Sequence, residues 1–307
     1  MTTQPTTTQR ADVSPAALWC ALGVVYVAWG STYLGIRVVV EDMPPLISAG
    51  ARFLTAAVLM GTFLALRSGP RVLRVRPREL RGAAIVGVLL LGGGNGGVVL
   101  GERTVPSGIA ALLVAMVPLW LILLRFASGA RPRLLTWAGV LVGFVGLAVL
   151  VLPGGGAGGP TAGILIIVGA SLSWSVGSFM SQRMPMPANP FVATVWEMLA
   201  AAIALLVIGT VSGERLGDFG DASTSSWIAL GYLVVFGSIV AYSAYVWLLQ
   251  NAPLSLVSTY AYVNPVVAVL LGALILAEPL TGAIVTGGAI VVLGVALVVR
   301  AERPRPA

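Results

Sequence analysis

Long apolar runs separated by short polar stretches organise this chain from end to end. Ten such runs lie near 16–36, 45–66, 82–101, 105–124, 134–152, 161–181, 190–211, 226–248, 254–276 and 281–299. Each approaches the roughly 20 apolar residues that a helix needs to cross a bilayer. The pattern therefore predicts an all-α polytopic membrane protein with ten transmembrane helices. Only Glu102 to Val105, "ERTV", separates the third run from the fourth, which predicts a tight helical hairpin there. The polar stretch before Pro15 holds no apolar core, so it does not read as a cleavable signal. The run from Ala16 past Gly35 is expected to act as an uncleaved membrane signal.

The runs fall into two related halves. Trp29 precedes Pro45 by 16 residues and Arg52 by 23; Trp174 precedes Pro190 by 16 and Glu197 by 23. Pro106 and Pro118 are 12 apart, as are Pro253 and Pro265. The offset between halves is 145 residues in the first comparison and 147 in the second. Five helices per half is an odd number, so the second half enters the membrane in the opposite direction. Inverted repeats of this kind are a transporter architecture, with the solute site near the midplane at the repeat interface. The expected organisation is a tail at 1–15, a first five-helix repeat at 16–152, a glycine-rich external linker at 153–160, a second repeat at 161–300 and a tail at 301–307.

Composition narrows the chemistry. Of 307 residues, 58% are hydrophobic and 9% charged, far below the roughly 25% of soluble domains. The 18 basic residues outnumber the 11 acidic ones, and all are arginine. They cluster after the second run (Arg67, Arg71, Arg74, Arg76, Arg78, Arg81), after the fourth (Arg125, Arg131, Arg133) and in the tail (Arg300, Arg303, Arg305). The alternate loops are acidic or uncharged: Glu41 and Asp42, the glycine-rich Pro153 to Pro160, then Glu214, Asp218 and Asp221. The positive-inside rule then puts both termini in the cytoplasm and explains the basic balance without a nucleic-acid partner. There is no histidine and one cysteine, Cys20, so His-ligated zinc, Ser-His-Asp hydrolysis and Cys-rich metal sites are excluded. No cofactor is called for.

Polar residues inside the runs are the candidate pathway. "LLLGGGNGGVVL", Leu89 to Leu100, has no preceding strand signal and no lysine, so it is no phosphate loop. Gly92 and Gly96, and Gly93 and Gly97, fit close helix packing. Asn95 needs a partner in hydrocarbon, and both a packing role and cavity lining stay open for it. Its repeat counterpart is Tyr242, each lying 11 residues before its proline. Arg52 and Glu197 are the deepest charges, each seven residues past a helix-starting proline, or about 10 Å. Opposite insertion would separate them in depth by roughly 10 Å of a ~30 Å core, which argues against a direct ion pair. Glu197 is the only deep carboxylate and the proton-coupling candidate. Trp29 and Tyr33 with Tyr26, Trp174 with Ser171 and Ser178, Tyr242 with Tyr245, and Tyr260 with Asn264 supply polar-tipped rings suited to an amphipathic solute. Interfacial-belt placement is the alternative for these rings, and it accounts for Trp19 and Trp227.

"WGSTYLGIR", "PPLISAGARFLTAA", "VPSGIAALLVAMVPLW", and "STYAYVNPVVAVLLG" with "AEPLT" closely resemble the EamA-type drug/metabolite transporter superfamily, over about Trp19 to Arg300. The resemblance implies a ten-helix inner-membrane permease that exports amino acids, other metabolites or drugs. Glu278 stands where the family has an end-of-helix glutamate, and "RFASGARP" in the first half lacks its counterpart. The expectation is a monomeric, non-enzymatic secondary transporter working by alternating access on a small-molecule solute, with protons as candidate co-solute. A lipid flippase or an importer of the same fold is the alternative. A membrane transferase would need acidic metal-binding clusters, and no Asp lies inside any predicted run.

Overall fold

The computed structural model describes residues 14–151 and 160–302. Most of the 153–160 linker, the first tail up to residue 13 and the last tail from 303 lie outside the described residues. Among those described, the chain is helical without strands. Seven helices are long and apolar enough to cross a membrane: α1 Pro15–Asp42, α2 Pro45–Ser68, α3 Pro77–Gly101, α4 Ser107–Ala127, α6 Thr161–Ser181, α7 Pro190–Val211 and α8 Thr224–Asn251. Three further apolar helices are α5 Leu134–Val151, α9 Tyr260–Ile275 and α10 Gly282–Glu302.

Local chemistry sets the boundaries. Proline opens α1, α2, α3 and α7, where its missing N–H costs nothing and its fixed φ suits the first turn. Asn189 caps α7 by accepting from the Phe191 and Val192 amides at 2.9 and 3.4 Å. Two carboxylates cap helices in the other half of the chain. Glu214 accepts from Leu46 and Ile47 at the head of α2, and Glu278 from Ser107 and Gly108 at the head of α4. Interior prolines break regularity: α4 is interrupted at Ala115–Met116 just before Pro118, and α9 carries Pro265.

Three sequence expectations need correction. The first helix runs on to Asp42, so Glu41 and Asp42 form its last turn rather than a loop. That turn holds because Asp42 accepts from the Ser223 amide at 2.8 Å and from the Ser226 hydroxyl at the head of α8. The ninth helix starts at Tyr260, after a separate short turn Leu254–Val257, instead of at 254. In the glycine run, Gly92 meets only Val88 of its own helix, whereas Gly93, Gly97 and Gly101 lie against Ser173, Ala170 and Ile167 of α6.

Packing follows a pattern. Helix α2 lies on α7, α5 on α10 and α4 on α9; α1 packs on α8 and α9, while α6 packs on α3 and α4. Exchanging α1–α5 with α6–α10 leaves this set of pairs unchanged. Both α3 and α8 widen to i→i+5 turns, at Val88–Asn95 and at Leu233–Val240, whose ends are offset by the same 145 residues as Trp29 and Trp174. Apolar side chains such as Leu66, Leu134, Val211 and Leu274 face outward all around the bundle. Lipid is the solvent that accepts such a surface.

Helices approach most closely where glycines meet. A Cβ on Gly294 of α10 would lie 2.4 Å from the Gly143 nitrogen of α5, a backbone atom that cannot rotate away. Gly294→Leu should therefore destabilise the α5–α10 pair by about 1–3 kcal/mol or more. The expected readout is a lower thermal unfolding midpoint in detergent and less protein in the membrane. Gly169→Ala, with nothing within 4 Å of the added carbon, should leave both unchanged.

Candidate functional site

The widened turns build the site. An i→i+5 turn leaves a carbonyl without its usual partner in the ladder. In α8 the Gly237 carbonyl is taken by Trp29 Nε1 at 3.2 Å, and in α3 the Leu89 carbonyl by the Ser173 hydroxyl at 2.8 Å. Each bond crosses from one half of the chain to the other. Between these helices lies a central cavity.

Eight of the nine residues singled out from sequence line it. Helix α1 supplies Trp29 and Tyr33, α2 Arg52, α3 Asn95, α6 Trp174, α8 Tyr242, and α9 Tyr260 and Asn264. The ninth, Glu197, is not in the wall. It sits behind Tyr242, whose hydroxyl donates to its Oε2 at 2.7 Å. Glu197 and Arg52 form no ion pair among the described residues; Arg52 Nε donates instead to the Ser238 hydroxyl at 2.8 Å.

Aromatic rings shape the pocket. Trp29 makes edge contacts with Trp174 and Tyr260, each at 5.3 Å between centroids, and a tilted contact with Tyr245 at 4.8 Å. Such contacts fix ring planes as well as filling space. The Tyr245 hydroxyl, not itself a lining group, accepts from Trp174 Nε1 at 3.2 Å and bonds the Ser178 hydroxyl at 2.8 Å. Asn264 is tied down too: its amide nitrogen donates to the Tyr260 and Tyr26 carbonyls at 3.3 and 3.2 Å. By contrast, the buried Asn95 Oδ1 has no partner in the protein. Trp19 and Trp227 stand on the outside of the bundle, away from the cavity.

Arg52 is the only charged residue in the wall. It is 3% exposed, and its Nη1 has no partner. Gly237 makes room for it, since a Cβ there would lie 2.8 Å from Arg52 Nη2. A buried guanidinium with one side-chain bond and no counter-ion is poorly compensated by the protein alone. The cavity thus combines rings in edge and tilted contact with one amide oxygen and one cation that find no full partner among the described residues.

Sequence reading missed Gly237, Ser238 and the role of Tyr245 as a bridge. Nothing in the pattern marked them, because the widened turn that aims Gly237 and Ser238 inward has no simple sequence signature. It placed Glu102 in the turn between two helices, where it lies, without foreseeing that Glu102 is fully buried there.

The model of the EamA-like transporter family matches this chain twice, over residues 15–152 and 161–300. The chain belongs to the EamA-like transporter family. Among its relatives is the uncharacterized inner membrane transporter YedA of Escherichia coli strain K12, 44% identical over 83% of this chain and 81% of that protein. An uncharacterized transporter of Archaeoglobus fulgidus is 25% identical over 92% of this chain and 98% of its own length. A crystal structure at 23% identity matches the fold with a TM-score of 0.67, covering 92% of this chain and 96% of its own. EamA-like relatives are thus named as transporters, with no substrate attached to the names.

The Tyr245 bridge yields a direct test of the wall. Tyr245→Phe leaves the Trp174 N–H buried without its acceptor, which should cost about 1–3 kcal/mol. The purified variant should melt earlier than wild type. Trp227→Phe, on the bundle exterior, should melt as wild type does.

Proposed function

We propose that the protein is a secondary transporter that carries a small organic solute bearing an anionic group, such as an amino acid or related metabolite, through the central cavity by alternating access. Outward movement follows the resemblance to exporting permeases. The observation that carries the reading is Arg52: a solute carboxylate would supply the counter-charge that the protein withholds, and would do so in a dry wall where the pairing is strong. The rings of Trp29, Trp174 and Tyr260 suit an apolar body on the same solute. Glu197, one hydrogen bond behind Tyr242, is the proposed place for proton exchange on that side of the cavity.

The architecture proposed is ten membrane spans in two inverted halves, working as a monomer with cytoplasmic termini. The exchange symmetry of the helix pairs, the paired widened turns and the two family matches all support it. Rocking of one half against the other would then open the cavity to each side in turn.

Lipid translocation is the second reading, favoured by one feature. A cleft on the flank of the bundle, lined by Ala51, Thr55, Trp227 and Val234, reaches Arg52 from the side. A lipid headgroup could enter there.

Two measurements test these readings. A reporter fused after Arg74 should be active in the cytoplasm, and one inserted between 153 and 160 should report the outside; a cytoplasmic signal from the second would end the inverted arrangement. In reconstituted vesicles, uptake of radiolabelled amino acids and organic acids should exceed transfer of fluorescent phospholipid. Arg52→Gln should reduce that uptake at least tenfold, with unchanged protein in the vesicle. Phospholipid transfer without solute uptake would replace the first reading with the second.

A further inference from the structure

Among the described residues Glu102 is the most enclosed carboxylate. It follows the last residue of α3, at the corner where the chain turns into α4, and is 0% exposed. Neither Oε1 nor Oε2 has a hydrogen-bond partner. The nearest cation does not serve it: Arg37 of α1 gives its Nη1 to the main-chain carbonyl of Glu102 at 2.6 Å, and its Nε lies 4.0 Å from Glu41. Arg103, next in the chain, is exposed.

The other groups facing Glu102 do not neutralise its charge. Tyr33 of α1 and the Glu278 carboxylate, from the α9–α10 connection, are both within electrostatic range. Glu278 is held by two amides, Ser107 at 2.8 Å and Gly108 at 3.1 Å, at the positive end of α4. Among the described residues Glu102 thus has a neighbouring carboxyl and no hydrogen-bond donor. Burial first, then the Glu278 carboxylate, hold its carboxyl well above the usual range, with Arg37 opposing them. The Ser107 hydroxyl, buried and also unpartnered, lies on the same helix end as the Glu278 contact.

We propose that Glu102 is a proton-binding site: its carboxyl holds a proton while the α3–α4 corner is packed shut, and releases it when that corner opens to water. Use of this proton to drive transport rests on the transporter reading above; the protonation itself does not. Tyr33 links the two places, since it lines the cavity and also faces Glu102.

Infrared difference spectroscopy on the purified full chain tests the site without any solute. Glu102→Gln keeps a neutral side chain of the same shape, so the fold should survive. Subtracting its spectrum from that of wild type at pH 7 should leave the carbonyl stretch of a protonated carboxylic acid, moving to lower frequency in D2O. A difference that contains only ionised carboxylate bands would overturn the proposal. Should the Gln variant not fold, Glu102→Met supports the same subtraction. The band should be retained in Glu197→Gln, which separates it from any contribution of that residue. If the protonated band is present but vesicles take up no solute, the transporter reading falls and the proton site stands.

Discussion

Inside a bilayer every peptide group has to find its partner within the protein, because hydrocarbon offers none. The two widened turns, Val88–Asn95 and Leu233–Val240, strain that requirement, and the rest of the site is arranged around how it is met. Each turn frees a carbonyl, and each carbonyl is claimed by a side chain from the opposite half: Ser173 on Leu89, Trp29 on Gly237. The bonds that repair the helices also join the halves. They fix Trp29 in the plane from which it meets Trp174, Tyr245 and Tyr260. Losing one such bond would expose a backbone acceptor to a dry interior and loosen the ring cluster together.

Helix association needs a different source, since lipid tails are as apolar as leucine. Close backbone approach supplies it. On the α5–α10 pair, Gly139, Gly143 and Gly146 face Gly287 and Gly294, and the helices meet along that seam. On α3, Gly93, Gly97 and Gly101 let α6 approach from one side, while Gly87 lies against the Glu197 backbone of α7. The opening glycine run therefore serves packing, and the asparagine within it serves the cavity: Asn95 is aimed at the space that its glycine neighbours leave by drawing α6 close.

Much of this was legible in the chain. Apolar run length gave the helix positions, because burial in lipid demands continuous apolar surface and little else satisfies it. Proline spacing located the relation between halves, because a residue without an N–H can sit only at a helix start or a break. Depth arithmetic separated Arg52 from Glu197, and the two have different partners, Ser238 and Tyr242. What stayed hidden depends on backbone register. A widened turn rotates later residues by part of a turn, so Gly237 and Ser238 point inward although α-helical counting gives no reason for it. Helix ends were hidden as well: Glu41 and Asp42 read as loop acids, yet Asp42 completes α1 because Ser223 and Ser226 arrive from a segment 181 and 184 residues away.

The carboxylates show the same division between what composition tells and what placement decides. Five of the acids differ chiefly in their hydrogen-bond partners. Glu214 and Glu278 each accept two amides at a helix head and act as caps. Asp42 is similarly satisfied by Ser223 and Ser226. Glu197 has one donor, Tyr242, and Glu102 has none. Ordered by donors, the series runs from carboxyls clamped by two backbone amides to one with no partner among the described residues. The two poorest in donors each neighbour a tyrosine that lines the cavity, Tyr242 beside Glu197 and Tyr33 facing Glu102. Any movement of those rings changes the surroundings of the two carboxyls poorest in donors, whereas Glu214 and Glu278 are held by backbone amides.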